Sequence, residues 1–202
     1  MGERLSDGLT WLANSDVTWA GYCVTLARGL EPDEPDELVR RLARDEPGPL
    51  GEYTAETLEA HLERRDAPAR TAVRYGSSEG LAFAVAYGDW PGYMGPGFTD
   101  GLSGEAHVFQ LYYESENPKV PPPSFSYFHQ ETYMCGFDLC SFPHVGGTAP
   151  DLLLRDVQAA GIEGEESRDA AHARSLSVLE ERFGLSLPRG QILKGLLPAA
   201  TV

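Results

Sequence analysis

Apolar and polar positions alternate most clearly between Ala69 and Asp138, and that stretch predicts a central antiparallel sheet of four to six strands. Thr71, Val73 and Tyr75 alternate with Ala72, Arg74 and Gly76, and Ser77-Ser78-Glu79-Gly80 supplies a turn. Leu81 to Tyr87 is almost wholly apolar, which suits a strand covered on both faces. Glu105 to Tyr113 sets Phe109 and Leu111 against Val108 and Tyr112. Phe125 to Phe128 and Thr132 to Phe137 form a hairpin about Gln130-Glu131, although neither residue is the usual choice for a primed turn.

Outside that stretch the spacing is helical. Trp19, Cys23, Leu26 and Leu30 recur every three or four positions after Asp16, a good N-cap, and predict a first helix that stops near Gly29. Two further helices follow, over 35–43 with Leu38 and Leu42 inward, and from Thr54 with Leu58 and Leu62 inward. Pro47-Gly48-Pro49 separates them. After the sheet, Thr148 caps a helix that Gly161 closes. Ser167 to Phe183 is the longest helix, ended by Gly184, and a short one covers 188–197. The pattern is a single α+β domain over 1–202, with helices in 16–66, the sheet in 69–138 and helices in 149–197. There are no internal repeats.

Charge changes the picture of partners. The net charge is -15, and Glu31 to Asp66 alone holds 12 acidic and 5 basic residues. Such a surface repels nucleic acid and anionic membranes and attracts a basic protein. Three cysteines do not make a disulfide framework, no apolar run is long enough to span a membrane, and the N-terminus lacks a signal-peptide core. The expected location is cytoplasmic.

Four sets of residues carry candidate chemistry. His129, Cys135, Cys140 and His144 have ligand types that zinc takes, but a hairpin about Gln130-Glu131 pairs His129 with Thr132 and turns Cys135 to the opposite face unless the register shifts. No metal site and no cofactor is expected. The segment Gly88 to Gly104 is glycine-rich and carries Asp89, Trp90, Tyr93 and Phe98, aromatic groups that either fold back on the core or meet a ligand or partner. His107, with Glu105 on its face, is an acid–base candidate. Cys23 has no visible activating base, and His61 and His172 read as solvated. No G-x-S-x-G elbow is present.

Several segments in order complete the reading: Trp19 to Thr25 with Arg28-Gly29-Leu30, Gly80 to Val85 with Gly88 and Gly92, Leu102-Ser103, Phe125-Ser126-Tyr127, Phe137-Asp138, Pro150-Asp151 and Leu185-Ser186-Leu187. Together they resemble the DUF6461 domain family of actinobacterial proteins over most of the chain. The resemblance implies no settled activity and transfers no catalytic residue. Two functions are expected. The first is a non-catalytic acidic module that binds, neutralises or regulates a basic partner protein. The alternative is a small enzyme or ligand-binding protein of specialised metabolism, its pocket between the Gly88–Gly104 loop and the first helix.

Overall fold

The computed structural model describes residues 7–14, 21–30, 34–43, 46–64, 70–88, 99–101, 104–114, 122–141, 145–162 and 167–202. Among them, eight strands form one open sheet in which every neighbouring pair is antiparallel. In chain order the strands are β1 (Tyr22–Arg28), β2 (Gly48–Tyr53), β3 (Thr71–Ser78), β4 (Leu81–Gly88), β5 (His107–Tyr113), β6 (Ser124–His129), β7 (Thr132–Asp138) and β8 (Leu197–Thr201). Across the sheet the order is β2-β8-β3-β4-β1-β5-β6-β7. The helices are α1 (Glu34–Leu42), α2 (Ala55–Leu62), α3 (Asp151–Ala159), α4 (Arg168–Phe183) and α5 (Arg189–Lys194), with a short 3-10 turn at Thr10–Asn14. The α+β class is as the pattern predicts, but the described residues form eight strands and not four to six.

The largest correction concerns 22–28, which is a central strand and not a helix. Tyr22, Val24 and Leu26 join one core and Ala27 the other. A strand buried on both faces has no polar alternate positions, so periodicity cannot separate it from a buried helix. The helical spacing of Cys23, Leu26 and Leu30 is coincidental. Gly29 ends the strand at φ 72°, where a Cβ would sit 2.2 Å from the Glu105 carbonyl oxygen, so only glycine fits beside the approach to β5.

The two strands the pattern lacks, β2 and β8, contain breakers. Pro49 and Gly51 flank a bulge in β2, which lies at the sheet edge where proline is tolerated. Pro198 of β8 pairs with Glu52, while β8 meets β3 only through Ala199, Ala200 and Thr201. The β3–β4 turn has both Glu79 and Gly80 at positive φ, as a type I′ hairpin requires.

Two layers clothe the sheet. One core holds Leu58 and Leu62 of α2, Leu153 and Val157 of α3, Leu176 and Leu179 of α4, and Ile192 of α5, against Phe83, Phe109, Leu111 and Phe125 of the sheet. The other packs Leu38 and Val39 of α1 on Ala27, Val73, Ala82, Ala84 and Val108. The capping of α4 follows the sequence: Ser167 accepts from the Ala170 N–H, and Gly184 takes the left-handed C-terminal position. That of α3 does not, because Thr148 donates instead to the Tyr133 carbonyl. No described helix is long and apolar enough to cross a membrane.

Arg74 fastens the late elements. It is completely buried and all five of its N–H groups are used. Nε donates to Tyr53 O at 3.0 Å, and the two terminal nitrogens donate to Tyr87 Oη, Ile192 O, Gln191 O and Gly195 O. One side chain on β3 thereby satisfies the last carbonyls of α5 and the end of β2.

Candidate functional site

The register places three ionisable side chains in one row. Arg28 on β1 pairs with His107 on β5, which pairs with His129 on β6. Strand alternation puts all three on the face that carries Leu26, Phe109 and Tyr127. The row lies at one end of the sheet, beside the C-terminus of α4. Its floor is aromatic: Phe109 and Tyr127 stack at 4.9 Å, and Phe183 at the end of α4 meets both at 5.1 and 5.0 Å.

His107 Nδ1 lies 2.8 Å from Tyr127 Oη and 3.1 Å from His129 Nδ1. A ring nitrogen has one in-plane valence, either a proton or a lone pair, so it cannot serve both partners fully. Burial, then His129 and Arg28, hold His107 below the usual histidine range, and Glu105 acts in the opposite direction. Burial, followed by Cys135, pushes the Tyr127 phenol up, so it stays protonated. Arg28 sits over the Phe109 ring at 5.3 Å and donates to the Phe183 carbonyl, a favourable place for a cation. Its Nε is buried and has no hydrogen-bond partner among the described residues.

The structure thus joins two candidates that the sequence set apart, His107 and His129, and gives His107 the neighbours Tyr127 and Arg28. Glu105 lies just outside β5, is exposed, and reaches His107 only through its charge. Arg28 and Tyr127 were not legible as site residues, since only the pairing of β1, β5 and β6 brings them together. Cys135 corrects the face argument. A bulge between Tyr127 and Phe128 makes Cys135 pair with Tyr127, so it shares their face and is fully buried, its thiol raised to about 11 by burial. Cys140 is half-buried, its thiol also raised to about 11 by burial, with Arg168 opposing the shift. His144 lies outside the described residues. No group of three or more histidine, cysteine or acidic ligands forms among those described.

Asp89, Trp90, Tyr93 and Phe98 also lie outside the described residues. The segment's far end is fixed near the row. Arg41 donates to Asp100 O at 2.9 Å, Gly101 N–H donates to Glu131 Oε1 at 2.8 Å, and Gln130 Nε2 donates to Gly104 O at 3.3 Å. A pocket against a first helix is ruled out in that form, because 22–28 is the strand β1.

His172 is a second correction. It reads as solvated, yet it is 1 % exposed and its Nε2 shares a hydrogen bond with Tyr22 Oη at 2.6 Å. Its ring lies parallel to Tyr113, 4.3 Å between centroids and 2° between planes. Burial, then Arg168, lowers it to about 4, so it is neutral near pH 7. His61 is half-buried against Tyr53. Cys23 is buried and pushed up to about 12, so no thiolate forms there near neutrality. An open groove of about 580 Å³ between α3 and α4, lined by Asp156, Arg174, Glu181 and Arg182 among others, contains none of the residues the sequence singled out.

Acidic groups gather elsewhere. Glu52 on β2, Glu56 and Glu59 on α2 and Glu63 at the C-cap of α2 are exposed. Burial first, then Glu63, raises the Glu59 carboxyl; Arg74 opposes this and Glu56 adds to it.

A family model matches residues 6–186, that of the family of unknown function DUF6461. No curated protein and no solved structure matches the chain.

Proposed function

Starting from the fact that the chain belongs to the DUF6461 family, we propose that it binds a small molecule bearing an anionic group at the Arg28–His107–His129 row. One observation carries this reading. A buried guanidinium N–H with no partner stands beside an imidazole nitrogen that faces two partners and can fully serve one. Buried donors without acceptors are expensive, by about 1–3 kcal/mol each, and an arriving carboxylate or phosphate settles that deficit. The same anion favours protonation of the imidazoles, so the row has acid–base capacity toward what it binds. This moves the ligand-binding or enzymatic reading ahead of the one that total charge alone favours. Titration of inorganic phosphate and of acetate, followed through the Arg28 Nε–H and histidine ring resonances, tests it. A saturable shift at these three residues, lost in Arg28→Met, is expected. Shifts scattered over the surface would defeat the reading.

A second reading keeps the acidic module that binds a basic protein. It is favoured by the like-charged Glu56 and Glu59 of α2 and Glu63 at its C-cap, whose repulsion a cationic partner would relieve. Salt-sensitive retention of a basic protein that weakens in a Glu56, Glu59, Glu63 triple glutamine variant supports it, and retention unchanged by those substitutions sinks it.

A further inference from the structure

We propose that His107 and His129 together bind a divalent late first-row transition-metal ion through their Nδ1 atoms, with the Tyr127 oxygen as a third donor. This rests on the reading of the row as a ligand-binding end, and names what the histidine pair does there.

The geometry is that of a chelate. Two nitrogens each about 2.0–2.1 Å from a zinc-like ion lie about 2.8–3.4 Å apart, from octahedral to tetrahedral angles. The two Nδ1 atoms are 3.1 Å apart, and the Tyr127 oxygen is 2.8 Å from one of them. An end-on N–H···N bond would hold the ring centroids farther apart than the observed 4.4 Å, and the rings are tilted by 37°. The two nitrogens are therefore not joined by a linear hydrogen bond, and a shared ion would give each of them a partner. Direct cross-strand pairing of His107 with His129 fixes this on rigid backbone. Two imidazoles suit zinc, cobalt, nickel or copper and are poor for magnesium or calcium, and the Tyr127 phenol, protonated in the metal-free chain, releases its proton when it coordinates. Three protein donors leave positions open for water or an anion, as catalytic zinc sites do. Arg28 works against a cation in the row but not against a metal that brings an anion, whose free end its unpartnered Nε can take. Glu105 lends the site a compensating negative charge.

The experiment uses the full chain stripped with chelator and titrated with cobalt(II), read by its visible d–d bands, and with zinc(II) in competition. A single saturable site is expected. His107→Gln and His129→Gln should each weaken it at least about tenfold. Tyr127→Phe should change the band positions, while Cys140→Ser and His144→Gln bind as the parent does. Saturation that survives both histidine variants, or that is lost on Cys140→Ser and His144→Gln, overturns the proposal. Absence of saturable cobalt binding overturns it too. Should a histidine variant misfold, zinc titration of the parent followed by ring ¹⁵N shifts decides: His107 and His129 Nδ1 move together, or the proposal falls. Phosphate titration of the metal-free chain separates the two claims. Phosphate shifts without metal binding retire this inference and leave the row as a ligand site, whereas loss of both retires both.

Discussion

Arg74 and Arg28 project from the same face of the sheet, each over an aromatic ring, Arg74 over Tyr87 at 5.6 Å and Arg28 over Phe109 at 5.3 Å. They differ in how far their donors are met. Arg74 spends every N–H on the carbonyls of Tyr53, Gln191, Ile192 and Gly195 and on the Tyr87 hydroxyl. Arg28 holds the Phe183 carbonyl and keeps a buried Nε bare, in a row with two histidines whose Nδ1 atoms face each other at 3.1 Å. A buried cation whose valences are filled from within is part of the scaffold. A partly buried one whose Nε is left open at the end of a rigid sheet is placed to meet something else.

That contrast is sharpest in stability. Arg74→Met strands several buried carbonyls and should lower the unfolding free energy by about 3–5 kcal/mol in urea titrations. A loss below about 1 kcal/mol would show that the network is ornamental. Next in size is an acid effect from His172, which like Arg74 belongs to the scaffold. Its folded pKa of about 4 lies below its unfolded value near 6.5, so the unfolded chain binds the extra proton between those values. Its contribution is whole above about pH 6.5 and is lost as pH falls toward 4, a fall on the order of 3 kcal/mol. Urea midpoints across that window measure it, and His172→Gln should flatten the decline. The smallest effect is expected at the site. Arg28→Met gives up a helix-end contact and a cation–π contact and should cost about 1 kcal/mol or less, while abolishing the phosphate response. A loss as large as that of Arg74→Met would make Arg28 another structural pin and erase the distinction.

The sequence disclosed much of this division unevenly. The hairpin of β6 and β7 is legible because His129 and Thr132 bracket a two-residue turn, and β3 and β4 because alternation brackets Glu79-Gly80. The strand β1 hides because Tyr22 to Ala27 is buried on both sides and its apolar spacing fits either period. β2 and β8 hide behind prolines that an edge position and a partial pairing excuse. His107 could be named, since a histidine beside Glu105 on a strand is visible in one dimension. Its true neighbours could not, because Arg28, Tyr127 and His129 are 79, 20 and 22 positions away and meet only through strand register. Cys135 escaped for a finer reason. A one-residue bulge reverses its face, and no local residue type announces it.

The state of the Arg28 Nε–H separates a ligand-binding arginine from a structural one most directly. In ¹H–¹⁵N spectra of the folded chain, adding inorganic phosphate should shift that resonance saturably, together with the rings of His107 and His129 and with little change at Arg74. An Arg28 signal that stays put while the chain remains folded, or one that moves no more than Arg74, would contradict the claim that the two arginines serve different ends.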